Sequence, residues 1–196
     1  MARPALRILD DANDPHTWID AARAGDEQAR SILAELTASI AWRYALRMMR
    51  DEQDARDISQ EVLTKILRNL DRYDSHYRYP TWVLSVTRNT CIDEFRRRRH
   101  RSGEEVPDVA DPSPGPHELI ARDQAARIVR EALDELPPLY REVLVLYHYE
   151  NLKYREIADL LDLPIGTIMN RIFRARQKLK DSCRPALGTL SAEERP

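Results

Sequence analysis

The stretch NLKYREIADLLDLPIGTIMNRIFRARQKLK, residues 151–180, decides the fold. Ile157, Ala158, Leu160 and Leu161 recur at helical spacing, Asp162 to Pro164 interrupt the pattern, and Ile168, Ile172, Ala175 and Leu179 resume it at intervals of four, three and four. A short helix, a tight turn and a longer helix make a helix-turn-helix. Pro164 suits the first turn of the longer helix, where the missing N–H is no loss. That helix is two-sided: its apolar stripe leaves Asn170, Phe173, Arg174 and Gln177 facing outward, with Met169, Arg171, Arg176 and Lys178 on the flanks. Residues 165–180 carry five cations and no carboxylate.

Upstream, the spacing predicts a helix over about 119–135, stopped by Pro137-Pro138, and another from near Leu139 through YREVLVLYHY. Before these lies SGEEVPDVADPSPGP, residues 102–116, with four prolines, two glycines and four carboxylates, which has no helical period and reads as a flexible acidic linker. On its N-terminal side Trp18 to Leu36 and Ile40 to Met49 are amphipathic, and DARDISQEVLTKILRNL (54–70) sets Ile58, Val62 and Ile66 with Leu63, Leu67 and Leu70 against a polar face. A polar, tyrosine-rich stretch, RYDSHYRYP (72–80), leads into a helix from about Thr81 to Arg99 that ends in an arginine run. No segment alternates as a strand would. The expected organisation is all-α: a tail at 1–14, a helical module at 15–101, the linker at 102–117, a helix-turn-helix module at 118–182 and a tail at 183–196.

With 196 residues and 33% charged side chains the chain can hold two small soluble domains. The net charge of −2 hides a partition: residues 1–101 are net +2, residues 102–164 net −8, and positive charge gathers at Arg96–Arg101 and Arg171–Lys180. No apolar run approaches a bilayer span, and the N-terminus lacks the apolar stretch of a signal peptide, so a cytoplasmic protein with no membrane insertion is expected. Cys91 and Cys183 have no CxxC partner, and the five histidines lack ligand spacing, so two free thiols and no metal or cofactor are expected. No nucleophile, acid–base pair or phosphate-binding glycine loop is present, which argues against an enzyme.

Three segments, in this order, resemble the extracytoplasmic-function (ECF) sigma factors of bacterial RNA polymerase, within the sigma-70 family. DARDISQEVLTKIL is similar to the helix that docks on the clamp coiled coil of the polymerase largest subunit. YPTWVLSVTRNTCIDEFRRRR (79–99) resembles the promoter-melting segment, and residues 136–179 resemble the domain that reads the minus-35 element. The resemblance implies a region 2 helical bundle and a region 4 helix-turn-helix. As partners it implies core polymerase (clamp coiled coil and flap), promoter DNA and an anti-sigma factor that can hold the chain at the membrane, and as a role, initiation at a stress or envelope-response regulon. Asp57, Gln60 and Glu61 share a polar helix face suited to docking. Tyr73, Tyr77, Tyr79 and Trp82, with Arg88, Asn89, Asp93, Arg96 and Arg97, offer stacking surfaces and a cationic track for an opened minus-10 strand. Thr167, Met169, Asn170, Arg171, Phe173, Arg174, Arg176 and Lys178 form the minus-35 face. There Arg174 can pair with guanine, Asn170 with adenine, and Phe173 with a thymine methyl, while Arg171, Arg176 and Lys178 suit phosphates.

The chain departs from the family pattern at three places. Lys153 stands where a Ser or Thr helix cap is usual, Asp162 where the turn usually has Gly, and Met169-Asn170 where a Lys/Arg-Ser pair is frequent. The residues also leave open an ordinary helix-turn-helix regulator acting outside the polymerase, which needs a dimerisation surface and a sensor domain.

Overall fold

The computed structural model describes residues 15–102 and 122–193. The tail expected over 1–14 and the linker beyond Ser102 lie outside them. Two compact units divide at Gly103. All regular structure among the described residues is helical.

Unit 1 comprises α1 (Pro15–Arg23), α2 (Glu27–Met49), α3 (Glu52–Arg68), a 3-10 turn (Leu70–Arg72) and α4 (Tyr79–Ser102). The break between α1 and α2 falls at 24–26, within the stretch read as one amphipathic run, and α2 then continues unbroken through Thr37–Ser39. Gly25 adopts φ 97°, a conformation that side-chain-bearing residues rarely take, and the Asp26 carboxylate accepts from the N–H groups of Gln28 and Ala29. Within this run the Thr37 hydroxyl is satisfied by a buried 2.6 Å hydrogen bond shared with the Tyr79 hydroxyl. Arg50, left-handed at φ 62°, ends α2, and Asp51 caps α3 by accepting from the Asp54 N–H. Leu33, Leu36 and Ile40 of α2, Ile58, Val62 and Ile66 of α3, and Val83 and Leu84 of α4 fill the core. The Arg23 side chain reaches across and donates to the carbonyls of Leu70 and Tyr73 at 2.8–3.1 Å, fixing the turn that precedes the tyrosine-rich loop.

Unit 2 comprises α5 (Arg122–Asp134), α6 (Pro138–Leu144), which widens into a π turn (Val145–Tyr149), α7 (Tyr154–Leu161) and α8 (Ile165–Glu193). The helix expected through YREVLVLYHY is thus α-helical only to Leu144. The cap on α7 is half of a reciprocal pair: the Glu156 carboxylate accepts from the Lys153 N–H at 2.7 Å, and a lysine side chain has no acceptor with which to return the bond. Asp162 takes the left-handed turn position at φ 52°, and the Leu163 N–H closes onto the Ala158 carbonyl. Pro164 sits one place earlier than expected, accepting from Thr167 and Ile168 at the start of α8.

The stripe on α8 is buried at Ile168, Ile172 and Ala175 and continues to Cys183, so the helix keeps packing past residue 182 and runs on to Glu193, into the stretch read as a tail. Both cysteines are free and buried.

Arg141, 3% exposed, donates to the carbonyls of Leu133, Asp134 and Leu136 at 2.7–3.2 Å. It closes the C-terminal end of α5, where helix carbonyls have no partner of their own. Arg141→Met keeps the aliphatic bulk and removes these bonds, and should destabilise unit 2 by about 2–4 kcal/mol, given about 1–3 kcal/mol per buried polar group left unsatisfied. All three tryptophans, Trp18, Trp42 and Trp82, lie in unit 1. The loss is therefore expected in a circular dichroism melt and not in a tryptophan fluorescence melt.

Candidate nucleic-acid interface

Burying one stripe of α8 fixes what the opposite side presents. Met169, Asn170, Phe173, Arg174, Arg176, Gln177 and Lys178 are exposed, while Thr167 and Arg171 are half-buried. Two of the cations rest on rings. The Arg176 guanidinium lies 5.2 Å from the Tyr147 ring centre and 3.5 Å from His148 Nε2, and the Lys178 ammonium 5.8 Å from the Tyr140 ring centre. Partial burial, and then the Arg176 charge, push the His148 pKa down, which favours the neutral imidazole that can accept from Arg176.

In unit 1 Asp57 and Gln60 are exposed on α3, and Glu61 is half-buried beside them. Glu61 pairs with Lys65 at 2.7 Å and with Arg97 at 3.6 Å. Its carboxyl is held below its ordinary 4.5 first by the Lys65 hydrogen bond and then by the Lys65 and Arg97 charges, against the opposing effect of burial. Arg98 pairs with Asp54 and Glu94, Arg97 also with Glu94, and Arg96 with Asp93. Asp54, Asp57, Ile58, Glu61, Glu94, Arg97 and Arg98 line one cleft of about 610 Å³. Docking and melting candidates therefore share a surface.

The aromatic residues divide. Tyr79 is fully buried, and burial pushes its hydroxyl pKa up to about 12 despite the hydrogen bond with Thr37. Tyr73 is buried as well, its hydroxyl donating to the Tyr77 carbonyl. Tyr73, Tyr79 and half-buried Trp82 form a cluster with ring centres 5.3–5.9 Å apart. Tyr77 is 55% exposed. On α4 Asn89, Asp93 and Arg96 are exposed and Arg88 half-buried. Trp82, Asn89, Asp93 and Arg96 follow at seven, four and three residues and so share a helix face.

A family model of Sigma-70 region 2 matches residues 33–101, and one of Sigma-70, region 4 matches residues 126–179, together more than half of the chain. The chain belongs to the ECF group of the sigma-70 family. It is 32% identical over 164 residues to the ECF RNA polymerase sigma factor SigE of Mycolicibacterium smegmatis, an alignment covering 80% of this chain and 63% of that protein. It is 27% identical over 180 residues to the RNA polymerase sigma-H factor of Pseudomonas aeruginosa, covering 86% and 93%. Among solved structures, the sigma factor RpoE of Bartonella quintana, in complex with the anti-sigma factor NepR, superposes with TM-score 0.61 at 22% identity, covering 76% of this chain and 92% of that one, which is a likeness of fold.

Within this family frame two residues expected as stacking surfaces need correcting. Tyr73 and Tyr79 offer no face to a base, because their rings complete the core between α2, the 3-10 turn and α4. Tyr77 and the accessible part of Trp82 remain. Residues the sequence did not single out contact the candidate side chains and their loop: Arg23 behind the tyrosine loop, Asp54 and Glu94 on the arginines, and Tyr140, Tyr147 and His148 behind the α8 cations. Nothing in the sequence pairs residues so far apart.

Because the Glu61 pKa is depressed on folding, its contribution to stability is present above its ordinary pKa and is lost as pH falls through the lower folded value. Glu61→Gln should melt slightly below the parent at pH 7, in keeping with the roughly 0–1 kcal/mol of a surface pair. The gap should close as pH falls through the depressed folded value, once the carboxyl is protonated in both the folded and the unfolded chain.

Proposed function

We propose that this chain is a promoter-specificity subunit of bacterial RNA polymerase, which docks on core enzyme through unit 1, reads minus-35 duplex through α8 and holds the opened minus-10 strand along α4 and the loop before it. The observation that supports this reading is that each of two separate compact units carries its own exposed polar face suited to nucleic acid. In unit 2 a helix with a buried back and a front free of carboxylates fits a major groove, where side chains distinguish base edges. In unit 1 an exposed tyrosine, an accessible tryptophan edge and a polar, cationic helix face fit single-stranded bases and their backbone. Opening is driven by capture of unstacked bases rather than by any reaction on the protein.

The partners proposed are core polymerase at its clamp coiled coil and flap, promoter DNA, and an anti-sigma factor, the kind of protein found with RpoE of Bartonella quintana. The regulon proposed is a stress or envelope response. These partners place the chain in the cytoplasm, in keeping with the lack, among the described residues, of any helix long and apolar enough to cross a membrane. Run-off transcription with purified core polymerase tests the reading: initiation from a subset of promoters in a genomic library is expected, and none from any promoter overturns it.

Replacing both Asp57 and Glu61 by Ala should weaken core binding at least tenfold, the order of one lost charged contact, while helix content stays unchanged. Arg174→Ala should cost about 1–3 kcal/mol at one minus-35 base pair. Tyr77→Ala should leave closed complexes intact and impair open ones, losing about 1–3 kcal/mol of stacking. A premelted bubble should rescue Tyr77→Ala and not Arg174→Ala. Tyr79→Ala is no test of stacking, since it empties the core.

A further inference from the structure

Between buried Tyr73 and buried Tyr79 the loop before α4 is exposed from Asp74 through Arg78. Bonds within it set its shape. The Tyr77 N–H donates to the Asp74 carbonyl at 3.2 Å, the Tyr73 hydroxyl donates to the Tyr77 carbonyl, and the Asp74 carboxylate accepts from the His76 N–H at 2.9 Å and lies 2.7 Å from the His76 Nδ1. Two anchors hold that shape against the helices behind it. At the far end the Tyr79 hydroxyl meets Thr37 of α2. At the near end the anchor is Arg23 of α1, whose Nε and Nη2 donate to the Leu70 carbonyl at 3.1 and 2.8 Å and whose Nη2 donates to the Tyr73 carbonyl at 3.1 Å.

The guanidinium is itself aimed. Its Nη1 donates at 3.2 Å to Asp20, one turn back on α1. Ile19 and Ala22, both buried, seat α1 on the core, and Arg30 of α2 donates to the Ala22 carbonyl at 3.0 Å. The α1 helix carries none of the residues assigned to polymerase or promoter, and it precedes the stretch that the region 2 family matches. Its contribution to the loop is this fork. A base that stacks on Tyr77 binds less tightly if the loop must first be ordered, because immobilising a mobile segment subtracts from the free energy of capture. Where opening is driven by capture, that loss falls on the open complex, and contacts to core polymerase and to upstream duplex are spared.

We propose that Arg23 is a positioning residue for promoter opening: from α1 it pins the Leu70–Tyr73 turn, so that the exposed Tyr77 ring is presented in place to an unstacked minus-10 base. This rests on the function proposed above.

The test uses holoenzyme reconstituted from core polymerase and the full chain carrying Arg23→Met, which keeps the aliphatic length and removes the donors. Open complexes, read by permanganate reactivity of unpaired thymines, should fall at least about fivefold, the lower end of the worth of one stacked base, with core affinity and closed-complex affinity unchanged. Arg23→Lys keeps the charge and loses the fork, and should open promoters at a level between Arg23→Met and the parent. It also carries the same comparisons if Arg23→Met melts below the assay temperature. Ser59→Ala removes instead a bond from α3 to the Ala38 carbonyl of α2, and should leave opening at the parental level. Joining either Arg23 variant to Tyr77→Ala separates positioning from stability: if Arg23 acts through the ring, the double variant opens promoters about as poorly as Tyr77→Ala alone. Additive losses in the double variant, losses shared equally by core binding and opening, or parental opening by both Arg23 variants overturn the proposal. A parent holoenzyme that opens no promoter, or a Tyr77→Ala variant that opens as the parent does, overturns instead the function on which it rests.

Discussion

A buried guanidinium organises unit 2. Arg141 gathers the carbonyls at the end of α5 and holds them against α6, so that the apolar residues of both helices form one bed on which α8 lies. Arg23 does the corresponding work in unit 1 from α1, collecting the carbonyls of Leu70 and Tyr73. Both rely on the planar fork of arginine, which aims several donors at once; a lysine ammonium would offer a point charge without that spread. In units this small, carbonyls at helix ends lie close to the core, and one side chain that satisfies two or three of them fixes a helix end and its neighbour together.

From that frame the two faces of each module follow. Tyr73, Tyr79 and Trp82 pack ring against ring beneath the loop, and this leaves Tyr77 standing out from a rigid base. The arginine run at the end of α4 is less cationic than its composition indicates, because Asp54, Glu61, Asp93 and Glu94 lie against Arg96, Arg97 and Arg98. Glu61 belongs both to the face proposed for docking and to the ion pairs of Arg97, so a change of charge at either is felt at the other. The pairs are partly solvated and individually weak. Their effect is to lower the positive charge that the end of α4 presents to solvent.

The α8 stripe was legible in the sequence because burial of one helix face imposes a period of 3.6 on the chain, and Ile168, Ile172 and Ala175 are buried as that period requires. The turn at Asp162 was legible because the apolar pattern breaks off there, though its left-handed backbone shows only in the structure. The tyrosine-rich loop was not, since Tyr73, Tyr77 and Tyr79 are the same residue in a polar stretch and only tertiary contacts decide which rings turn inward. The π turn at Val145–Tyr149 escaped because it displaces the pattern by a single residue near the end of a short helix. Arg23 and Arg141 read as surface cations in any composition count, and the carbonyls they bind are unmarked in the sequence.

The cations of α8 also separate into two physical kinds, a distinction that the charge count of the segment conceals. Arg176 and Lys178 lie against Tyr147 and Tyr140, so part of their conformational freedom is already lost before any DNA arrives. Arg174, exposed on the front, has no such ring against it among the described residues. Ordering a long side chain at an interface costs about 0.5–1.5 kcal/mol, a cost that falls mainly on Arg174 and is smaller for the two held cations. Contacts to phosphate carry no sequence information and can be pre-set at little loss, whereas a guanidinium that tests a base edge gains selectivity from being ordered by the correct partner alone. On the roles proposed for these cations, the rings behind α8 separate positioning from discrimination within a single helix.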